Sequence, residues 1–137
     1  MIAPGTYEER LYLNKNIKVL GENRHKCLLK NTVDNYNTDA LIEMRCGELG
    51  NMTLYGSKSN SEDPDWGGAY CLHIDTQECS NKSCYIHDVD FYNEKMQTVG
   101  IGLWENMDVH FDRCIFRCLT FHAAFYCHSN ASAGYKG

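Results

Sequence analysis

Proline is almost missing from this chain, with two in 137 residues, and so is any long apolar run. A helical membrane span takes roughly 18 or more consecutive apolar residues, so no membrane partner is expected. The opening residues turn polar too early for a signal peptide, and none is expected within the chain. Basic clusters are missing as well, since the net charge is −5 and no Lys/Arg run exceeds two residues. Phosphate backbones need such a basic footprint, and a nucleic-acid partner is therefore not expected. Helix-period stripes are hard to find. Apolar residues instead alternate in short runs between Gly, Asn, Asp and Ser clusters, which predicts an all-β chain.

Cysteine is abundant by contrast, with eight, at positions 27, 46, 71, 79, 84, 114, 118 and 127. An even count is compatible with disulfides, but the missing secretion signal argues against them. Reduced, buried thiols acting as small hydrophobes are the expectation. The closest pairs, Cys79 with Cys84 and Cys114 with Cys118, lack the Cys-x2-Cys spacing of zinc ribbons, so no metal and no cofactor is expected. Three Asn-x-Ser/Thr strings, starting at Asn51, Asn81 and Asn130, are short enough to arise by chance.

Strands are predicted over 10–13, 17–20, 40–45, 52–55, 70–75, 84–92, 99–104, 109–116 and 125–128, each about the length of one short strand or two. Their order repeats. "ALIEMR" (40–45), "YCLHID" (70–75), "VGIGLW" (99–104) and "FYCHSN" (125–130) superpose with starts 30, 29 and 26 residues apart. A second series, "MTLYG" (52–56), "VDF" (89–91) and "CIF" (114–116), follows the first three, with "IKVLG" (17–21) as an earlier member. Such a period is the signature of a solenoid, in which each coil buries its apolar face only by stacking on its neighbours. About four coils in one domain, 1–137, are expected, the last incomplete.

The stretch "PGTYEERLYLNKNIKVLGEN" resembles the first coil of right-handed parallel β-helices of the pectin lyase-like superfamily. Pro4, Gly5, Thr6, Tyr7, Glu9, Ile17, Val19, Leu20 and Gly21 carry the likeness. The later segments look like bacterial and prophage-encoded surface or tail relatives. The resemblance implies a right-handed parallel β-helix, a polysaccharide partner, and an extracellular or virion-surface location. Local chemistry also accounts for the glycines: Gly5 after Pro4 suits a type II turn, and Gly21 and Gly56 suit corners with positive φ.

Pectin methylesterases of that superfamily carry motifs resembling Gln-Asp-Thr-Leu and Asp-Phe-Ile-Phe-Gly, and neither occurs here. "HDVD" (87–90) sets Asp88 and Asp90 on one strand face, where a solvated face is the plainer reading than a glycosidase carboxylate pair. The superposed strands are more specific. With Ile42, Leu72 and Ile101 inward, Glu43, His73, Gly102 and His128 form an outward column. Arg45, Asp75, Trp104 and Asn130 form a second, and Leu41, Cys71, Gly100 and Tyr126 a third. Coils about 4.8 Å apart let Glu43 touch His73 and leave His128 about two spacings from it across Gly102. The two glycines then floor a shallow groove.

Such a groove suits sugar chemistry. His73 is the candidate general base or acid, Asp75 its orienting partner, and His128 a second polar contact. Glu43, Arg45, Trp104 and Tyr126 are candidate substrate contacts. Trp66, in the polar loop 57–68 that interrupts the repeat, joins them. A solvated pair of histidines is the plainer alternative. No capping helix is visible at either end, so a fragment, or a piece that stacks on further coils or another chain, is expected. Two functions remain open: a carbohydrate-active module that binds and cleaves or de-esterifies a polysaccharide, and a non-catalytic structural or adhesive module.

Overall fold

A computed structural model of the chain describes residues 1–31, 40–56, 70–76, 79–94, 98–118 and 124–129. The first coil carries β1 (Gly5–Glu8), β2 (Leu11–Leu13), β3 (Lys18–Leu20) and β4 (Cys27–Lys30). The next carry β5 (Ile42–Met44) with β6 (Gly47–Tyr55), then β7 (Leu72–Asp75) with β8 (Ser83–Asn93). Finally come β9 (Val99–Leu103), β10 (Asp108–Asp112), β11 (Ile115–Cys118) and β12 (Phe125–Ser129). Every pairing between these strands is parallel, in two sheets ordered β12-β9-β7-β5-β2 and β1-β4-β6-β8-β10, with β3 on β6 and β11 on β8. The chain is a parallel β-solenoid of about three turns.

The second sheet is folded along a line of left-handed residues. Asn51 and Asp88 both have φ 54, and the pairing of β6 with β8 steps over them, from Gly50↔His87 to Met52↔Val89. Arg113, φ 51, breaks the next coil between β10 and β11 at the same level. Asn and Asp enter this region at least cost among non-glycine residues. Arg113 pairs there with the coil before: its Nε and Nη2 donate to the two oxygens of Asp88 at 2.8 Å each. That guanidinium, with the His87 imidazole at 2.9 Å, holds the Asp88 carboxyl well below the usual carboxylate range.

The corners thus differ from expectation. Among the described residues the one positive-φ glycine is Gly47, φ 107, whereas Gly5 begins β1 and Gly21 and Gly56 serve close approach. A Cβ on Gly21 would stand 2.1 Å from the Asn51 carbonyl oxygen. "IKVLG" also belongs elsewhere: Lys18 to Leu20 pair with Glu48 to Gly50, before the fold line, while Cys27 to Lys30 provide the first-coil member of the 52–55 series. Cys27-Leu28-Leu29-Lys30 escaped the strand pattern because three apolar residues in a row hide its alternation.

Inward residues of all faces make one apolar cluster. Ile42, Met44, Leu49, Leu54, Leu72, Ile74, Ile86, Val89, Phe91 and Val99 are fully buried in it. Leu41 and Cys71 are also fully buried, not outward as the columns above place them, because they lie in the bend ahead of each strand. Asp88 and Asp90 are not a solvated pair either. The left-handed conformation of Asp88 breaks the alternation before Asp90, and Asp90, 3 % exposed, accepts from Arg24 Nε at 2.8 Å.

Cysteine departs from expectation in two places: Cys127 is exposed, with Cys114 and Cys118 only partly buried, and one pair is oxidised. Cys27, Cys71 and Cys84 are buried thiols, and burial pushes Cys71 and Cys84 up to about 12. Cys46 and Cys79, however, form a disulfide. They are 33 residues apart in sequence, but each follows a strand of the first-named sheet, so the coil brings the two corners together. Closing a loop of that length restricts the unfolded chain by about 4 kcal/mol. Reduction, or the Cys46→Ser/Cys79→Ser double variant, is expected to lower the unfolding free energy in urea by about that amount. An unchanged midpoint would show that the bridge does not constrain the chain.

Candidate functional site

The outer face of the β12-β9-β7-β5-β2 sheet collects most of the residues singled out in sequence. Its register is Tyr12↔Glu43↔His73↔Gly100↔Tyr126, and beside it Asp75↔Gly102↔His128, with Arg45 following Met44 in the Asp75 row. The repeats at 40 and 70, and at 99 and 125, superpose as read. Between the middle two the register is Leu72↔Val99, two residues away from the alignment of Tyr70 with Val99. A shift of two leaves every side chain on its own side of the sheet but changes its neighbours. His128 therefore stands over Gly102 and Asp75, and Gly100 stands directly over His73.

This arrangement joins the two histidines. Glu43 Oε2 lies 3.0 Å from His73 Nδ1, and His73 Nε2 lies 3.2 Å from His128 Nε2. Their rings are coplanar within 3°, with centroids 5.4 Å apart, so they meet edge to edge through the two nitrogens. The expected gap of two coil spacings has closed because neither Gly100 nor Gly102 raises a side chain between them. One imidazole must donate and the other accept, so the pair shares a proton, and Glu43 accepts from His73 Nδ1–H. Glu43, and not Asp75, thus orients His73.

Asp75 instead pairs with Arg45, Nη1 to Oδ2 at 2.8 Å. Arg45 Nε also donates to the Tyr12 hydroxyl at 3.3 Å, and the guanidinium lies 5.6 Å from the Tyr12 ring centre. Burial pulls Arg45 down, but the Tyr12 hydroxyl and the Asp75 carboxylate outweigh it and hold the guanidinium above its ordinary value. This second link crosses the same two coils as the disulfide, and Cys46 follows Arg45 directly.

A row of rings frames the histidines. Tyr70 packs against His73 at 5.7 Å and 17°, and Tyr126 against His128 at 5.7 Å and 22°. Tyr70 was not singled out in sequence, because it read as part of a strand. It lies ahead of β7 and fills the space over Gly100, where a Cβ would stand 2.9 Å from the ring. The glycine floor is therefore covered, and the face is a shelf of rings more than an open groove. Burial, and the nearby Tyr126 hydroxyl, raise the Tyr70 phenol above its ordinary value. Tyr126 is 45 % exposed and Tyr12 51 %, so aromatic surface meets solvent at both ends of one column.

Two candidates fall outside this group. Trp104 follows β9, two positions beyond Gly102, half-buried, with its indole N–H buried and unpartnered. Trp66, the loop 57–68 and Asn130 lie outside the described residues. Among the described residues no group of three His, Cys, Asp or Glu converges as a metal cage. No helix among them is long and apolar enough to cross a membrane. No family model matches the chain, and no curated protein or solved structure is significantly similar to it.

The two glycines give a direct contrast. A methyl at Gly100 must displace Tyr70, whereas one at Gly102 meets His128 Cε1 at an ordinary 3.5 Å. Gly100→Ala is expected to cost about 1–3 kcal/mol in urea unfolding, and Gly102→Ala less than about 1. The reverse order would contradict the packing of Tyr70 over His73.

Proposed function

We propose that this face binds polysaccharide, and that His73, oriented by Glu43 and sharing a proton with His128, is its acid–base group. The observation that supports the reading best is the unbroken chain Glu43–His73–His128 set between Tyr70 and Tyr126. Tyrosine faces offer apolar area with a polar edge, as sugar rings do, and a half-buried histidine beside a carboxylate is a fitting proton carrier. The likeness of residues 4–21 to pectin lyase-like β-helices favours an acidic plant or cell-surface polysaccharide and a right-handed coil. Cleavage or ester hydrolysis is the reaction class.

A structural or adhesive module, such as part of a phage tail or bacterial surface protein, is the second reading. It is favoured by how fully the charged groups satisfy one another, Arg45 with Asp75 and Tyr12, and His73 with Glu43 and His128. Stacking on further coils or another chain suits this reading too. An apolar hollow against the first coil, lined by Ile2, Tyr7, Leu11, Cys27, Leu29 and Met52, would receive such a neighbour.

Titration with oligogalacturonides and their methyl esters, followed by tyrosine fluorescence and by release of reducing ends, tests both. The catalytic reading expects saturable binding, weakened about tenfold in Tyr126→Ala, and turnover lost in His73→Ala while binding persists. Turnover undiminished in His73→Ala would dismiss that role. Binding without turnover would select the adhesive reading.

A further inference from the structure

We propose that His73 and His128 form a two-imidazole site for a divalent transition cation, taken up in place of the proton they share. Two nitrogens each roughly 2.0–2.1 Å from a tetrahedral zinc ion stand about 3.3 Å apart. The two Nε2 atoms stand 3.2 Å apart, on coplanar rings that meet through those atoms. Because the rings meet head-on, each must swing by roughly 40° before both lone pairs point at one ion held about 2.05 Å from each nitrogen.

The rest of the surroundings suit a ligand pair. Glu43 at His73 Nδ1 selects the tautomer that leaves Nε2 free to coordinate, and a carboxylate on the outer nitrogen makes a metal-bound imidazole more basic. His73 is held on its faces by Tyr70 and its side chain is 19 % exposed, so a cation has a route in from solvent. Cys127 does not join the pair, because alternation along β12 turns it to the opposite side from His128, in register with Ile101. No third protein ligand converges among the described residues, so water or an oxygen of a bound molecule completes the shell.

The donor type sets the class of ion. Imidazole suits zinc, copper and nickel, whereas calcium and magnesium take oxygen ligands. The other groups facing the pair are Glu43 from β5, Tyr70 ahead of β7, Asp75 at the end of β7, which Arg45 neutralises, and Tyr126 on β12. The site does not depend on sugar binding.

Titrating the folded chain with zinc chloride, while following the histidine side-chain nitrogens by NMR, tests this. Nε2 of His73 and of His128 are expected to move together with one equivalent, while His25, His87 and His110 stay in place. His128→Ala is expected to weaken the His73 response at least tenfold. If neither Nε2 moves, or if His73 responds equally in His128→Ala, the site is refuted. The paired movement is read in the unaltered chain, so the result stands even if the variant fails to fold.

Discussion

The parallel backbone ladder that ties each coil to the next determines nearly everything else in this molecule. A parallel pair fixes which residue stands over which, and alternation then sends one set of side chains to the core and the other to solvent. Inward, that produces files of aliphatic residues such as Ile42, Leu72 and Val99. Outward, it turns residues about thirty apart in sequence into neighbours, as Glu43 and His73 are. The ladder also accounts for the Cys46–Cys79 bridge, since two corners on successive coils cannot avoid each other.

Departures from uniform stacking are where chemistry gathers. Along the fold line of the second sheet, left-handed Asn51, Asp88 and Arg113 stand in one file, and Arg113 reaches back to both oxygens of Asp88. On the other sheet, Gly100 and Gly102 omit two side chains from an otherwise complete outer face. Tyr70 settles over the first and His128 reaches across the second, so residues from coils that are not adjacent come into hydrogen-bonding contact. Missing side chains, as much as present ones, build this site.

Much of this was legible in the sequence. Alternation and the thirty-residue spacing carry the solenoid, because a period of two and a coil length are both written in apolar residues. Glu43 beside His73 followed from the superposition of "ALIEMR" on "YCLHID". The next step was not legible, since sliding "VGIGLW" by two along "YCLHID" keeps every apolar residue inward and hydrophobicity does not distinguish the two registers. That ambiguity is why Asp75 was matched with Trp104 instead of Gly102, and His128 with His73's own column. Tyr70 was hidden for the same reason. The left-handed corners were hidden because Asp88 and Arg113 lie inside the runs 84–92 and 109–116, which read as continuous strands, and the disulfide because no pairing rule operates until coils are stacked.

The register between β7 and β9 is the point on which the site depends, and backbone NMR reads it directly. Cross-strand contacts are expected between Leu72 and Val99 and between His73 and Gly100, as in the Leu72↔Val99 pairing. Contacts joining Tyr70 to Val99 and Leu72 to Ile101 would contradict the account and return His73 and His128 to separate places on the surface.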